Sequence, residues 1–252
     1  MAQSLWTIET LLAGSWRGAS SVLLANNGQR IIVDTGMPHE AAQLAQALTR
    51  HGTAPEDVSA VINTHFHVDH VLNNCLFPKA AIYASQQSYE WCRSLYSDLK
   101  DEKDWEKLAL RYYPETWNYA KAHTHMHKLR KFALRWWNPN RLGDASQFRW
   151  LEQHPLPEGL DAILTSGHVP GHVSVAIANG AGPRAIIAGD ALLASDNEDR
   201  VLTMIPHQRD LYLQERAKLL AGAGQVIPGH GQRFDAPEAS LGNGPPGAGP
   251  AK

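Results

Sequence analysis

Three imidazoles and one carboxylate fall within Thr64-His65-Phe66-His67-Val68-Asp69-His70, directly after a largely apolar run at 58–62. Few structural needs explain that density. Imidazole suits zinc, iron and similar ions, and a neighbouring carboxylate suits a second ion. Positions two apart in an extended segment face the same way, so His65 and His67 can reach one ion together. Asp69 and His70 follow where the chain must turn, and can serve a second ion close by. The chemistry to expect is hydrolysis that depends on two metal ions.

Two ions need more donors than this segment holds. His168 lies in Thr165-Ser166-Gly167-His168-Val169-Pro170-Gly171-His172, Asp190 follows the apolar run ending in Ala188-Gly189, and His230 sits in Pro228-Gly229-His230-Gly231. Each ends an expected strand on a Gly-containing loop, where the backbone can turn sharply and come close to an ion. One ion can take His65, His67 and His168, the other Asp69, His70 and His230, with Asp190 bridging through its two oxygens. Three nitrogens on the first ion leave a position for water, which marks a catalytic site. Zinc is the expected metal, with iron or manganese as alternatives. The cluster His123-Thr124-His125-Met126-His127 reads differently. It lies in a helical stretch where only His123 and His127 share a face, so a solvated or packing role is expected.

The elements that must position these donors are legible from pattern. Apolar segments at 5–12, 21–25 and 30–33 read as strands, the last two joined by the hairpin signal Asn26-Asn27-Gly28. Pro38 opens a helical pattern running to 50. Residues 58–63 read as a buried strand carrying the His cluster at its end. A short helix over 71–77 and a strand over 80–83 follow. From 86 to 137 the pattern is helical and holds Trp91, Trp105, Trp117, Trp136 and Trp137, with a new helix expected at Pro114 and a stop at Asn138-Pro139-Asn140. Strands return at 148–151, 162–164, 173–177, 184–188 and 225–227, with a helix over 211–220.

The Trp-rich stretch supports three readings: a cap packed on the main body, a lid lining an apolar pocket, or a basic surface. The last rests on Lys121, Lys128, Arg130, Lys131, Arg135 and Arg141 against the single acid Glu115 over 114–141.

The 252-residue chain is 43% hydrophobic with a formal charge of −2. It can build a sizeable core, and its charge balance does not mark a general nucleic-acid binder. Cys75 and Cys92 form no CxxC pair, which argues against a disulfide framework and fits a reducing compartment. The N-terminal stretch lacks a basic leader followed by an apolar core, and no apolar run approaches the ~20 residues that span a bilayer. The expectation is a cytoplasmic protein without a membrane span, acting on a small molecule with an apolar or acyl part rather than on nucleic acid. Its oligomeric state stays open, a homodimer included. The Gly-, Pro- and Ala-rich stretch 236–252 is expected to be disordered.

Taken in order, these segments resemble the metallo-β-lactamase superfamily over nearly all the chain outside about 86–150 and the tail. His65, His67, Asp69 and His70 match its HxHxDH signature, and Val33-Asp34-Thr35-Gly36 matches a further one in which the Asp supports the site from behind. The resemblance maps the ligand of the third segment to His168 rather than His172, the bridging Asp to Asp190 and the last His to His230. It implies an α/β, four-layer αββα sandwich with metals at one edge between two sheets. It also implies a catalytic domain over 1–235 with an internal Trp-rich helical insertion at about 86–150. The implied mechanism has a hydroxide shared by two ions attack a carbonyl or phosphoryl centre, with Asp69 orienting the nucleophile or carrying a proton. The full donor set is similar to glyoxalase II-type thioesterases and acyl-homoserine lactone lactonases. The Tyr those lactonases commonly place after the bridging Asp is absent here, where Ala191, Leu192 and Leu193 follow. An ester, lactone or thioester hydrolase is therefore expected. The alternatives are a β-lactam or phosphoester hydrolase, RNA processing included, or a metal-binding module without turnover.

Overall fold

The computed structural model describes residues 6–15, 18–115, 122–178, 184–195 and 206–236. The first sheet follows chain order: β1 (Thr7–Leu12), β2 (Ser21–Asn26), β3 (Gln29–Val33), β4 (Ala60–Ile62), β5 (Ala81–Ala84) and β6 (Phe148–Trp150). β1 to β3 are antiparallel, and β3 to β6 run parallel. Asn27 and Gly28 turn the β2–β3 hairpin with φ of 45° and 83°. Two consecutive positive φ values match the right-handed twist of the flanking strands. The second sheet is formed by β7 (Leu160–Leu164), β8 (Val173–Ile177), β9 (Ala185–Gly189), β10 (Gln225–Pro228) and β11 (Phe234–Asp235), in the order β11-β10-β9-β8-β7.

Side-chain alternation along these strands builds the layers. Val22, Leu24, Ile31, Val33 and Ile62 of the first sheet share one buried cluster with Val175, Ile177, Ile187 and Ile227 of the second. Their neighbours Leu23, Ile32, Val61 and Ile82 point the other way and bury Leu44 and Leu48 of α1 (Ala41–Arg50). On the far side Ala176, Ile186 and Val226 bury Leu219 of α6, the helix Arg209–Gly222. A helix therefore covers the outer face of each sheet, which is the αββα sandwich.

Between β5 and β6 stand α3 (Gln86–Asp101), α4 (Trp105–Tyr112) and α5 (Ala122–Trp136). Ser85 and Asp104 cap the first two through side-chain oxygens that accept the amides of Ser88 and Lys107. These helices share a separate core, including Leu95, Tyr96, Leu108, Tyr112, Tyr113 and Ala133, that reaches Phe66 and Val68. Trp91, Trp136 and Trp137 pack against its edge, and Trp137 stacks on Tyr96 with centroids 4.2 Å apart.

Several expectations need correction. The short helix begins earlier than 71: α2 is Val68–Val71, inside the His segment, and only a 3-10 turn follows at Asn74–Leu76. Thr35 and Asn74 pull this loop inward through a 2.9 Å hydrogen bond, which the apolar spacing did not reveal. Pro114 lies in a turn, and residues 116–121, over which the helix expected at Pro114 would run, lie outside the described residues; α5 is described from Ala122. β7 starts at Leu160, and the two-residue strand β11 was too short to carry a pattern. The side chains of His123 and His125 and the stretch 237–252 lie outside the described residues; His127 is exposed.

Candidate metal centre

All candidate donors come from one edge of the sandwich. β3 ends at Val33 beside Asp34, β4 leads to His65, β7 to His168, β9 to Asp190 and β10 to His230. The two sheets are tied at this edge, where Val173 donates its amide to the Thr64 carbonyl at 2.9 Å and Ser20 donates to Gly229 at 2.7 Å.

The donors form two groups, His65, His67, His168 and Asp190 in one and Asp69, His70 and His230 in the other, each with ligand atoms all within 4.8 Å of one another. Asp190 joins them. Its Oδ2 lies 3.3 Å from His168 Nε2 and 3.9 Å from His65 Nε2, while its Oδ1 lies 3.2 Å from both His70 Nε2 and His230 Nε2. Asp69 Oδ2 stands 3.4 Å from His230 Nε2. His67 Nδ1 and His168 Nε2 are 3.1 Å apart. Donors on one tetrahedral zinc, at about 2.0–2.1 Å each, would be separated by about 3.3 Å. The spacing therefore suits an ion between them.

Hydrogen bonds behind the rings decide which nitrogen faces inward. His65 Nδ1 donates to Thr64 Oγ1 at 3.1 Å, His70 Nδ1 to Asp34 Oδ2 at 2.7 Å, and His230 Nδ1 to the Ser15 carbonyl at 2.7 Å. Each ring thus turns its Nε2 toward Asp190. Those three Nε2 atoms and both Asp190 oxygens are buried without a hydrogen-bond partner. Buried nitrogens and oxygens left without a hydrogen bond are costly unless an ion satisfies them, and a cluster of imidazoles around a carboxylate fits a cation. His67 is the exception: its Nδ1 faces His168, and its Nε2 is buried without a partner.

Asp34 holds the centre from behind. It accepts the Thr64 amide at 2.9 Å, the Thr64 hydroxyl at 2.7 Å and His70 Nδ1. Its φ of 56° is left-handed, a region Asp tolerates better than most residues. His172 is a support and lies in neither group. Its Nε2 accepts the Asp190 amide at 3.1 Å, so Nδ1 carries the proton and donates to Thr165 Oγ1 at 2.8 Å. Thr165 then donates to Ser174 Oγ, and Ser174 to the Ala188 carbonyl at 2.9 Å.

Close approach explains two glycines. A Cβ on Gly189, whose φ is 53°, would lie 2.9 Å from His172 Nε2 and from Thr64. A Cβ on Gly229 would strike Asp190 Oδ1 and lie 2.9 Å from the Gly189 carbonyl.

The electrostatics divide the donors. Burial drives the pKa of His65 and His168 well down, that of His67 to about 4 and that of His172 to about 3. Burial also opposes charge on His70 and His230, but carboxylates outweigh it. Asp190 with Asp34 raises His70, and Asp190 with Asp69 holds His230 at about 9. Burial works against the Asp190 carboxylate too, yet His230 and His70 keep its pKa well below the usual range.

Other supports were invisible in the motif. Ser88 Oγ of α3 accepts the Phe66 amide at 3.3 Å, and Glu215 of α6 accepts the Gly167 amide at 2.8 Å. Only Thr64, adjoining the signature, carried a local cue. Beside the centre, α3 and α5 enclose a narrow space bordered by His67, Leu95, Tyr96, Leu99, Tyr113, Arg130 and Ala133. Among the described residues no tryptophan lines it; the side chains of Trp105 and Trp117 lie outside them.

Comparison with known proteins agrees with this fold. A human protein, metallo-beta-lactamase domain-containing protein 1, is 29% identical over 220 residues, covering 86% of this chain. The aligned region spans 64% of that relative, somewhat under two thirds of its length. The Xenopus laevis protein of the same name is 29% identical over 218 residues, covering 85% of this chain and 71% of its own. Among solved structures, a metallo-beta-lactamase family protein from Thermus thermophilus superimposes with a TM-score of 0.58 at 17% identity, over 91% of this chain and 75% of that one. The dizinc quorum-quenching lactonase AidC does so with a TM-score of 0.55 at 19% identity, over 90% and 84%. At such identities these structures speak for the fold alone. The family model described as the metallo-beta-lactamase superfamily matches residues 14–230. The chain therefore belongs to the metallo-β-lactamase superfamily.

Proposed function

We propose that this protein is a dinuclear metal-dependent hydrolase of ester, lactone or thioester carbonyls in small molecules with an apolar or acyl part. The observation that carries the reading is Asp190, whose two buried oxygens face two separate histidine groups. His65, His67 and His168 would hold one divalent ion, and Asp69, His70 and His230 the other. The donor set of imidazoles and carboxylates suits zinc first, with iron or manganese as alternatives. Ions so placed supply Lewis acidity and make hydroxide available near neutral pH. The chain's own residues do the rest. Asp34, Thr64 and Ser15 fix the rings, and Asp69, at the rim of the second group, orients the attacking water or carries its proton. AidC, by its own description, is a dizinc lactonase, which supports the carbonyl reading. Exposed Cys75 and buried Cys92 are both free, which supports a reducing, cytoplasmic setting. Among the described residues no helix is long and apolar enough to cross a membrane.

The test combines elemental analysis with a panel of chromogenic esters, lactones, thioesters, β-lactams and phosphodiesters. Two ions per chain and turnover of the carbonyl substrates are expected. Turnover confined to β-lactams or phosphodiesters would replace the carbonyl assignment, and full metal content with no turnover would favour a binding module. Asp69→Asn should weaken the second ion and, at metal concentrations that still fill both sites, lose at least about 100-fold in kcat, the usual scale of general acid–base assistance.

A further inference from the structure

None of the grouped donors lies on the helices between β5 and β6, yet those helices hold two rings that face each other in the first group. His67 Nδ1 and His168 Nε2 stand 3.1 Å apart. Thr64, Asp34 and Ser15 fix His65, His70 and His230 through a ring nitrogen. His67 has no such bond, because its other nitrogen, Nε2, is buried without a partner. Its aim must come from the backbone on either side, and α3 supplies that hold. Ser88, Cys92 and Tyr96 stand four positions apart, so they share one face of the helix, and all three are buried. Ser88 Oγ accepts the Phe66 amide at 3.3 Å, and the Cys92 sulfur lies within hydrogen-bonding reach of the same amide. The Tyr96 oxygen lies within reach of the Val68 amide. Phe66 and Val68 flank His67.

The facing ring is held through His207, just before α6. The His207 amide donates to the His168 carbonyl at 2.8 Å, and the Gln208 amide donates to Gly167 at 2.9 Å. The His207 ring is half-buried and turns to the insertion. Its Nδ1 donates to the Tyr112 carbonyl of α4 at 2.7 Å, and its edge meets Trp91 of α3 with centroids 5.7 Å apart. One imidazole thus ties the insertion to the backbone of a donor. We propose that the helical insertion positions the first ion's site, α3 setting His67 and His207 setting His168. The inference rests on the metal-centre part of the reading above and makes His207 a positioning residue. The second site takes its support from Asp34 and Ser15, which lie outside the insertion.

The test uses cobalt(II), whose visible absorption reports coordination geometry without turnover. In a His230→Gln background, which removes a donor of the second site, cobalt reports the first; in a His168→Gln background it reports the second. His207→Phe keeps a ring against Trp91 but loses the donor to Tyr112. In the first background it should shift the cobalt band and weaken affinity by at least about tenfold, the low end for a residue that orients a ligand from behind. In the second background both should stay unchanged. His207→Asn, which offers an amide N–H in place of Nδ1–H, should restore the band. Ser88→Ala, at the other ring, should act in the same direction as His207→Phe, so the outcome does not hang on one variant. A first-site band and affinity indifferent to both variants, or equal losses at both sites, would overturn the assignment while leaving the hydrolase reading intact. A wild type that takes up no cobalt would remove the metal reading itself, and this assignment with it.

Discussion

Loading of the centre should release protons, and the number follows from the structure. Of the six side chains besides Asp69 that face the proposed ions, His65, His67 and His168 are kept neutral by burial and Asp190 is kept ionised. None of these has a proton to lose near neutrality. His70 and His230 differ. His70 lies between Asp34 at 2.7 Å and Asp190 at 3.2 Å, and His230 lies between Asp190 at 3.2 Å and Asp69 at 3.4 Å. Each is stabilised as an imidazolium. With His230 held at about 9, roughly 97% of it is protonated at pH 7.5 without metal. An ion at Asp69, His70 and His230 must displace both protons, because a metal takes only the neutral ring. The other ion displaces none. Uptake of two ions at pH 7.5 should therefore release about two protons from the protein and at most about one more from a bound water. Calorimetry in buffers of different ionisation enthalpy counts them. His230→Gln should lower the count by about one where the second ion is retained, and further where it is not. Affinity of the second site should rise with pH through about 9, as His230 and His70 give up their protons. Release of no protons, or a count unchanged by His230→Gln, would refute this account.

Three more outcomes are expected. Without metal, His230 contributes up to about 3 kcal/mol of stability, since its folded pKa near 9 exceeds the ordinary 6.5. A raised pKa stabilises fully below 6.5 and loses its effect as pH rises through 9, so the metal-free melting temperature should fall over that window, and a flat profile would count against the pairing. Asp34→Asn keeps a residue that tolerates φ of 56° but removes the anion behind His70. Metal affinity should drop by about 10–100-fold in chelator competition with far-ultraviolet circular dichroism unchanged. Gly229→Ala should cost the protein its metal, because the new Cβ strikes Asp190 Oδ1, whereas Gly231→Ala, whose nearest contact is 3.2 Å, should change little. Equal metal content in both variants would mean that Asp190 can move freely.

The donors announced themselves because metal chemistry restricts residue type. Only a few side chains bind divalent ions, and here they follow apolar strands, the last three on Gly-containing loops, so His65, His67, Asp69, His70, His168, Asp190 and His230 could be chosen as candidate donors before any fold was seen. The β2–β3 hairpin and the alternating strands were legible for a similar reason. Their period is local, and Asn27-Gly28 has the backbone freedom that the turn demands.

What the sequence settled by itself was the inventory of chemistry and the strand and helix periods that carry it. The tertiary structure decided orientation, because that depends on contacts between residues far apart in the chain. Ser15 aims His230 from 215 positions away, Glu215 braces the His168 loop from 48, and Asp34 sets the tautomer of His70 from 36. The narrow space between α3 and α5 exists only where those helices pack together, and no spacing in either helix encodes it. Hydrogen-bond direction and enclosed volume are properties of the assembled layers, not of any stretch of chain.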